Sequence, residues 1–413
     1  MSCECNMNAK KIFCGTLCTI VILLILLFIL LVFNDQNKKY NKLFSHTKNT
    51  IIDNFDNNLI KQKYWKRNSK CKYIVTPTIA QVLKDYNINE APNNKFHMYL
   101  PCNYNDIKGE IKDILNKKYC DSEYYFIVSN ADELTGKDKI WKNLKLLYGD
   151  KASIIMPKTY VLYDKIDMHN FNKEYDPTKI YILKKNIQRQ EGLKITKNKK
   201  EINDGLKNKY VIAQELLQDP LIIDNRKTNM RFYLLLVCEN GNITAYLHDE
   251  GFMYYTSKNF KKNSIDHDVN ITTGYIDRKV YDNNPLTLGD FRNYIDNNYK
   301  NSNINITSTQ IFNRILEVIN KLVQAIGFTV CQDKNLFKCN TFQIFGVDVA
   351  LNDNFIPQIM EVNKGPDLGG KDERDLSIKK KVVVDMLNIV GIIPEIKNNQ
   401  FHKVYPKIEY YLE

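Results

Sequence analysis

Hydrophobic residues form one unbroken run near the N-terminus before any alternation with polar residues begins. Residues 12–33, IFCGTLCTIVILLILLFILLVF, contain no charged side chain. A helix of about 20 apolar residues spans a hydrocarbon core of about 30 Å. The run ends at Val32-Phe33 instead of the small residues that precede a signal-peptide cleavage site. We therefore predict a retained single-pass membrane anchor, with an unusual signal peptide or a buried helix as the alternatives.

The lysines that flank this run bear on its orientation. Two precede it and four follow it: Lys10 and Lys11 before, then Lys38, Lys39, Lys42 and Lys48. Because cytoplasmic flanks carry more positive charge, this count favours a cytoplasmic location for the C-terminal part. The Asn-rich composition combined with an anchor is reminiscent of large DNA viruses. The membrane would then be that of a host cell or a virion.

Beyond the run, strand-like and helix-like patterns alternate. Residues 34–70 are polar with scattered apolar positions, which predicts a partly helical juxtamembrane stalk. Short β-rich runs then occur at 72–75, 95–100 and 124–128, and segments of helical period at 79–86, 107–115 and 137–148. This alternation predicts a small α/β lobe.

The remainder is longer and richer in strands. Strands are predicted at 179–184, 210–217, 229–237 and 243–248, and helices near 201, at 309–326 and at 377–390. An Asn-Gly pair at 240–241 predicts a hairpin turn, and a second hairpin is predicted at 341–364. Residues 257–310 are polar and appear in this pattern as a loop-rich stretch.

Composition excludes some classes of protein. The 413-residue chain is 44% hydrophobic and 26% charged, as folded proteins are, and carries a net charge of +12. It contains no zinc-finger spacing and no basic–aromatic repeat, so we expect no nucleic-acid partner. Ten cysteines are scattered, with no CxxC pair among the last six. We expect free thiols in a reducing compartment in place of a zinc site or a disulfide framework.

The second hairpin carries the candidate chemistry. Side chains alternate along a strand, so Glu361 and Asn363 share a face, and Asp348 on the partner strand comes opposite residue 360 or 361. Carboxylate and amide oxygens suit Mg²⁺. Apolar neighbours such as Val347 and Val362 indicate a buried sheet, where unpaired carboxylates are costly. The alternative is an exposed hairpin face with ordinary acidic residues.

Several segments together resemble one family. FGVDVAL (345–351) and IPQIMEVNKGP (356–366) resemble the closing hairpin of tubulin–tyrosine ligase-like proteins, a branch of the ATP-grasp superfamily. Four more stretches follow the family's order: IMPKTYVL (155–162), YILKKNIQRQEGLKIT (181–196), VIAQELLQDPLII (211–223) and KTNMRFYLLL (227–236).

This resemblance implies an α/β (α+β) ATP-grasp fold, preceded by a small α/β N-terminal lobe and the transmembrane helix. The implied divisions are a tail (1–11), the anchor (12–33), the stalk (34–70), the N-terminal lobe (71–158), a central lobe (159–228) and a C-terminal lobe carrying the metal-binding hairpin (229–413).

The resemblance also assigns roles to residues. Lys184 and Arg231 would supply catalytic positive charge near the phosphates, and Asp348, Glu361 and Asn363 would bind Mg²⁺. ATP would be bound by Lys184, Arg189, Gln190, Gly192, Gln214, Glu215, Leu216, Leu217, Lys227, Asn229 and Thr272. Without the resemblance, Lys184 would be read as a surface lysine and Arg231 as one partner of a structural ion pair.

Two positions depart from the family pattern at the acceptor side. Tyr254 follows Glu250-Gly251 where the family has Arg, and Thr273 follows Thr272 where it has Asn. Both would lie at the acceptor site, so the ATP and metal half matches the family while the acceptor half differs.

The implied activity is ATP- and Mg²⁺-dependent carboxylate–amine ligation through an acylphosphate. It would add an amino acid to a protein carboxylate, on an acceptor with an acidic tail such as tubulin. The basic stretches 194–200 and 258–262 would attract that tail. Two alternatives stay open: an ATP-grasp ligase acting on a small molecule or a non-tubulin peptide, and a non-catalytic protein that binds nucleotide or an acidic partner.

Overall fold

The computed structural model describes residues 62–406, apart from 73, 94, 103–109, 111–122, 188–191, 301 and 335. The predicted N-terminal tail, the anchor at 12–33 and the stalk up to residue 61 lie outside this range. So does the helical segment predicted at 107–115, apart from Glu110. Across the described ranges, no helix has the length and apolar character needed to cross a bilayer.

Sixteen strands occur in this part of the chain: β1 Tyr64–Lys66, β2 Asn89–Glu90, β3 Met98–Tyr99, β4 Tyr124–Tyr125, β5 Thr159–Val161, β6 Tyr181–Lys184, β7 Leu193–Thr196, β8 Ile212–Glu215, β9 Ile222–Ile223, β10 Arg226–Glu239, β11 Asn242–His248, β12 Phe252–Thr256, β13 Thr272–Thr273, β14 Asn340–Leu351, β15 Pro357–Asn363 and β16 Phe401–Tyr405. The mixed α/β class predicted from the sequence is confirmed.

Ten α-helices accompany them: α1 Pro77–Asp85, α2 Asp132–Thr135, α3 Lys137–Tyr148, α4 Ala152–Ile155, α5 Lys165–Glu174, α6 Lys199–Asn203, α7 His267–Asn270, α8 Leu288–Asn298, α9 Ser308–Ile326 and α10 Glu373–Ile389. Short 3₁₀ turns follow at Gly149–Lys151, Leu206–Asn208 and Arg278–Asp282.

The larger sheet is organised around β10. Its main path runs β13-β12-β10-β14-β4-β3-β1-β2, and β9, β11, β15 and β16 pair at its sides. β10 and β14 pair with each other in antiparallel orientation. The pairs β14–β4, β4–β3, β3–β1 and β1–β2 are parallel. The 14-residue β10 therefore has sheet neighbours on both edges.

The smaller sheet has four antiparallel strands in the order β5-β8-β6-β7. Its apolar face packs on Phe171 of α5 and Ile202 of α6, together with Tyr160, Tyr181 and Leu183. Lys184 points to the opposite face from Leu183 because successive side chains alternate. This alternation directs the Lys184 ammonium toward the hairpin β14–β15, where it donates to the carbonyl of Met360 at 3.3 Å.

Helices cover both faces of the larger sheet. On one face, Phe232, Leu234 and Leu236 belong to the same buried cluster as Ile315 and Ile319 of α9. On the other face, Tyr233 and Leu235 lie in a cluster that includes residues of α1 and α10. The helix α9 begins with a reciprocal capping box between Thr307 and Gln310.

Two predicted elements differ from the structure. The described residues of the strand predicted at 72–75, which are 72, 74 and 75, are not in a strand. Ile74 is 84% exposed, and the sheet position next to β2 and β3 is taken by β1, within the range predicted as stalk. The loop-rich stretch predicted at 257–310 contains the 11-residue helix α8, which Thr287 and Asp290 cap reciprocally.

The cysteines also differ from expectation. Cys71 is bonded to Cys102, Cys238 is bonded to Cys331, and Cys339 is disulfide-bonded as well. The expectation of free thiols is therefore wrong for these five residues. Spacing along the sequence gave no sign of the pairing because the bonds join segments 31 and 93 residues apart.

Candidate functional site

The hairpin β14–β15 brings three oxygen-bearing side chains together, as the alternation predicts. Asp348 lies directly opposite Glu361, and Asn363 lies opposite Gly346. The Asn363 amide nitrogen donates to Glu361 Oε1 at 3.2 Å and to Asp348 Oδ2 at 3.5 Å. Two carboxylates and one amide thus converge on one face of the hairpin, and rotation of the amide would present its oxygen to the same point.

Arg231 joins this group from the neighbouring strand β10. Its Nε and Nη2 donate to the two carboxylate oxygens of Asp348 at 2.5 and 2.9 Å. Both side chains are largely buried, with 14% and 11% of their surface exposed. Burial raises the pKa of Asp348, and the guanidinium opposes part of that rise. A structural ion pair, the alternative considered for Arg231, is present, and it lies inside the candidate metal site.

Two buried lysines lie close together, Lys184 on the smaller sheet beside the acidic group and Lys227 near the start of β10. Lys184 is 7% exposed and donates to Gln214 Oε1 at 2.7 Å. Lys227 is 4% exposed and donates to the Leu217 carbonyl at 3.2 Å. Burial lowers the pKa of Lys184 to about 8. Burial, followed by repulsion from Lys184, lowers the pKa of Lys227 to about 7.

A third lysine was not predicted from the sequence. Lys137 begins α3, is only 12% exposed, and places its ammonium 3.9 Å from Glu361 Oε2 and 3.0 Å from the Ile187 carbonyl. A cation in the first turn of a helix is unfavourable because of the helix dipole. This unfavourable position was the signal available in the sequence. Burial raises the pKa of Glu361, but Lys137, Lys184 and Arg231 outweigh it, so the net shift is downward.

The predicted hinge segment has mainly structural side-chain roles. Gln214 holds Lys184 and also donates to Thr159 Oγ1 at 2.9 Å. The N–H groups of Glu215 and Leu216 donate to the carbonyls of Lys158 and Ile180. The N–H groups of Glu215 and Leu216 are therefore already used within the protein.

The loop between β6 and β7 is described at its ends only. Arg189 and Gln190 lie outside the described residues. Gly192 has a φ of +70°, and its carbonyl accepts from the Lys185 N–H at 3.1 Å, which closes the hairpin. A side chain on Gly192 would meet Lys185 Cβ and Ile187 Cδ1 at 2.9 Å.

Of the two residues predicted for the acceptor side, Tyr254 lies next to Arg231 and Thr273 lies on the strand beside Tyr254. The Arg231 guanidinium stacks on the Tyr254 ring, 5.2 Å from its centroid. Thr272 and Thr273 form β13, which pairs with β12 directly beside Tyr254. The Thr273 hydroxyl accepts from the Tyr275 N–H at 3.0 Å. Lys371, which the sequence did not single out, lies over the Tyr275 ring with its ammonium 4.2 Å from the centroid.

The site fits a magnesium nucleotide by the chemistry of its donors. Asp348, Glu361 and Asn363 offer hard oxygen ligands. Lys184 and Lys227 hydrogen-bond only to neutral oxygens in the contacts described, and two adjacent buried ammonium groups call for an anion. Asn229 Oδ1 is buried and has no hydrogen-bond partner among the described residues. A ribose hydroxyl is a donor that such an oxygen could accept from.

Nucleotide binding is expected to take up protons. At pH 8, a lysine with a pKa of about 7 is mostly neutral, and a nearby polyphosphate favours its charged form. Calorimetric titration of MgATP in buffers of different ionisation enthalpy should show uptake by the wild type and less by Lys227→Met. Some uptake should remain in the variant because Lys184 has a pKa of about 8. Equal uptake by the two proteins would contradict this assignment.

Gly251 makes the close approach of β12 to Arg231 possible. A Cβ on Gly251 would lie 2.1 Å from the Arg231 carbonyl oxygen, a backbone atom that cannot move alone. Gly251→Ala should therefore destabilise the fold by about 1–3 kcal/mol and misplace Arg231. Thermal melting and MgATP binding would measure both effects.

Gly327→Ala is the matched control, because its Cβ meets nothing closer than 3.5 Å and its backbone is helical. Equal melting shifts in the two variants would show that the approach at Gly251 is not tight.

The comparisons with known proteins cover the part of the chain that contains the candidate site. The family model described as "Tubulin-tyrosine ligase family" matches residues 119–400, more than half of the chain. The chain is 25% identical to tubulin polyglutamylase TTLL5 of Mus musculus over 301 residues, which is 67% of this chain and 22% of that protein.

Two further relatives are similar. Identity is 25% over 203 residues with probable tubulin polyglutamylase TTLL9 of Rattus norvegicus, covering 48% of this chain and 42% of that protein. It is 24% over 309 residues with probable tubulin polyglutamylase ttll-9 of Caenorhabditis elegans, covering 68% and 71%. The chain spans less than half the length of the mouse and rat proteins. On the extent of the family match, the chain belongs to the tubulin–tyrosine ligase family.

Proposed function

We propose that this chain is an ATP- and Mg²⁺-dependent ligase of the ATP-grasp type that joins an amino acid to a protein carboxylate. One observation carries the proposal: two carboxylates and an amide converge beside an arginine and two buried lysines whose hydrogen bonds, in the contacts described, go to neutral oxygens. This is the donor set that a magnesium triphosphate requires. The names of the relatives, which are tubulin polyglutamylases, support the choice of reaction.

Each residue has a separate role in this proposal. Asp348, Glu361 and Asn363 would hold Mg²⁺, and Lys184 and Lys227 would bind the phosphates. MgATP, when bound, supplies the phosphoryl group that activates a carboxylate toward an amine. Arg231 is held by Asp348 in one orientation, so its positive charge is fixed before substrate arrives. Lys137 would add charge from α3, close to Glu361.

The acceptor in this proposal is a protein with an acidic stretch, and tubulin is one candidate through the relatives' names. In the structure, several lysines of the basic stretches 194–200 and 258–262 are paired with acidic residues, which weakens their attraction for an acidic acceptor. Lys194 pairs with Glu201, Lys258 with Asp266 and Lys262 with Asp219. Much of their charge is therefore neutralised locally.

A groove of about 380 Å³ is lined in part by Lys185, Lys194, Lys200 and Tyr210, together with the acidic residues Glu201 and Asp204. The acceptor stretch is proposed to contact this groove. Replacing Lys200 and Lys185 together should raise KM for acidic peptides and leave KM for ATP unchanged.

The reaction is tested with the full chain, MgATP, an amino-acid mixture and a panel of acidic peptides. Peptide mass should increase by the residue mass of one amino acid for each ADP released. Mass spectrometry and a coupled ADP assay provide the two measurements. Release of ADP without any peptide product would point to the alternative small-molecule ligase.

A non-catalytic role is the second candidate, and one observation favours it. Arg231 is engaged on two sides, by the Asp348 carboxylate and by the Tyr254 ring. If MgATP binds tightly and no ADP appears with any acceptor, the chain is a nucleotide-binding protein without turnover.

A further inference from the structure

All five cysteines in the described part of the chain are disulfide-bonded. Cys71 and Cys102 have Cα atoms 5.1 Å apart, and Cys238 and Cys331 have Cα atoms 5.8 Å apart. Cys339 is also disulfide-bonded and is 1% exposed. Cytosolic glutathione and thioredoxin keep such thiols reduced, whereas exported proteins retain their disulfides. Complete pairing is therefore a property of a chain that folds in an oxidising compartment.

Metal binding does not account for the cysteines equally well. Cys71, Cys102 and Glu110 have ligand atoms within 4.8 Å of one another. The two sulfurs are bonded to each other, and the Glu110 carboxylate already accepts from the Cys102 N–H at 2.9 Å. A structural zinc site usually has four ligands, and this group offers three.

The bonds join parts of the fold that no local turn would bring together. Cys238 lies near the end of β10, the strand that carries Lys227, Asn229 and Arg231, and it is tied to Cys331 after α9. Both residues are buried, at 4% and 5% exposure. This bond therefore fixes the far end of the strand on which the candidate site is built.

The sequence also offers a way to read the compartment directly. The pattern Asn-x-Ser/Thr accepts N-linked glycans in the secretory pathway. It occurs at Asn242, the first residue of β11, and at Asn305, just before α9, and both side chains are exposed. A third occurrence, at Asn270, is buried, and its amide donates to the carbonyls of Ser264 and Asp266. With fifty asparagines in the chain, such patterns also arise by chance, so they serve as reporters.

We propose that the disulfide-bonded part of this chain works on the non-cytosolic side of a membrane, in an oxidising compartment, and that Asn242 and Asn305 carry N-linked glycans there. The acceptor is then a protein of the same compartment, with an acidic stretch exposed to it. The statement about the acceptor rests on the proposed ligase function, whereas the proposed compartment does not depend on that function. This location differs from the cytoplasmic side that the count of flanking lysines favours. That count is a statistical bias and does not by itself fix the orientation.

The thiols provide the first measurement. The full chain is expressed in eukaryotic cells, free thiols are blocked before lysis, and a maleimide–polyethylene glycol reagent is added with or without prior reduction. We expect Cys71, Cys102, Cys238 and Cys331 to react only after reduction. Absence of reaction even after reduction would show that these thiols had been free and were blocked before lysis, which would place them in a reducing compartment and overturn the proposal.

Glycosidase treatment is the second measurement. The wild-type chain should lose mass on digestion, and Asn242→Gln together with Asn305→Gln should abolish that loss. Asn303→Gln is the matched control, because it lies on the same exposed loop and belongs to no Asn-x-Ser/Thr pattern. An unchanged mass in the wild type would overturn the assignment of the two asparagines as glycan sites.

The outcome for the ligase function is read separately. A chain that is oxidised and glycosylated but inactive on every acidic peptide would contradict the proposed function and leave the compartment intact. An active chain with free thiols would contradict the proposed compartment and leave the ligase function intact.

The Cys238→Ser, Cys331→Ser variant should melt roughly 5–10 °C lower than the wild type, because a long loop is no longer closed.

Discussion

Glu361→Gln is expected to lower Mg²⁺-dependent ATP turnover by about 10²–10³-fold, the loss seen when one charge-stabilising group is removed from an active site. The amide keeps the shape of the side chain and its hydrogen bond with Asn363, but it lacks the charge that attracts a divalent ion. Glu361 is the better choice than Asp348, because Asp348 neutralises Arg231 at two atoms. Loss of the carboxylate at 348 would leave a buried guanidinium unpaired, at a cost of about 3–5 kcal/mol.

The measurement is the dependence of ADP release on magnesium concentration, at saturating ATP. Higher magnesium should restore part of the activity of Glu361→Gln if the loss lies in metal affinity. Glu317→Gln is the control, since Glu317 is 58% exposed on α9 and pairs with Lys321 there. Equal activity of Glu361→Gln and the wild type would remove the metal site from the hairpin.

Lys184→Met is expected to abolish nucleotide binding while leaving the nucleotide-free protein at least as stable as the wild type. The shift in the pKa of Lys184 from 10.5 to about 8 corresponds to about 3 kcal/mol of unfavourable burial of charge. Methionine removes that penalty, and the gain is smaller than 3 kcal/mol because Gln214 loses a hydrogen-bond donor. Site residues commonly reduce stability in exchange for activity.

The sign of the pH dependence provides an independent test. Between pH 8 and 10.5, the unfolded chain binds more protons at Lys184 than the folded chain does, so wild-type stability rises with pH across this window. In Lys184→Met this contribution is absent, and the curve should be flatter. Lys185→Met is the control, because the Lys185 ammonium lies over the Tyr210 ring instead. A melting temperature that falls in Lys184→Met would contradict the account of a buried charge whose desolvation outweighs its attraction to Glu361 and Asp348.

The sequence predicted best what depends on local period. The hairpin β14–β15, the alternation that groups Asp348, Glu361 and Asn363, and the helix α9 all follow from patterns within a few residues. The helix α8 carried similar signals in Leu288, Phe291 and Ile295 and in its capping box, but the polar residues around it concealed them.

Features that depend on distant contacts were not accessible from the sequence. Lys137 reaches Glu361 across 224 positions, and its unusual place in the first turn of α3 does not identify the residue that it contacts. The Cys71–Cys102 and Cys238–Cys331 disulfides also join residues far apart in the sequence, and the folded chain determines which cysteines pair. The predicted division into lobes remains a prediction, as do the anchor and the roles of Arg189 and Gln190.

The long strand β10 has a consequence for how the protein can change over time. It carries Lys227, Asn229 and Arg231, and neighbouring strands hold it on both edges. Substitutions at these three positions would disturb several strands at once, so we expect β10 to tolerate little sequence variation. The segment from Thr272 to Pro285 belongs to the sheet only through the two residues of β13. This segment can therefore change with less effect on the sheet than β10 can, and under the proposed function it is a place where contacts to a new acceptor could arise.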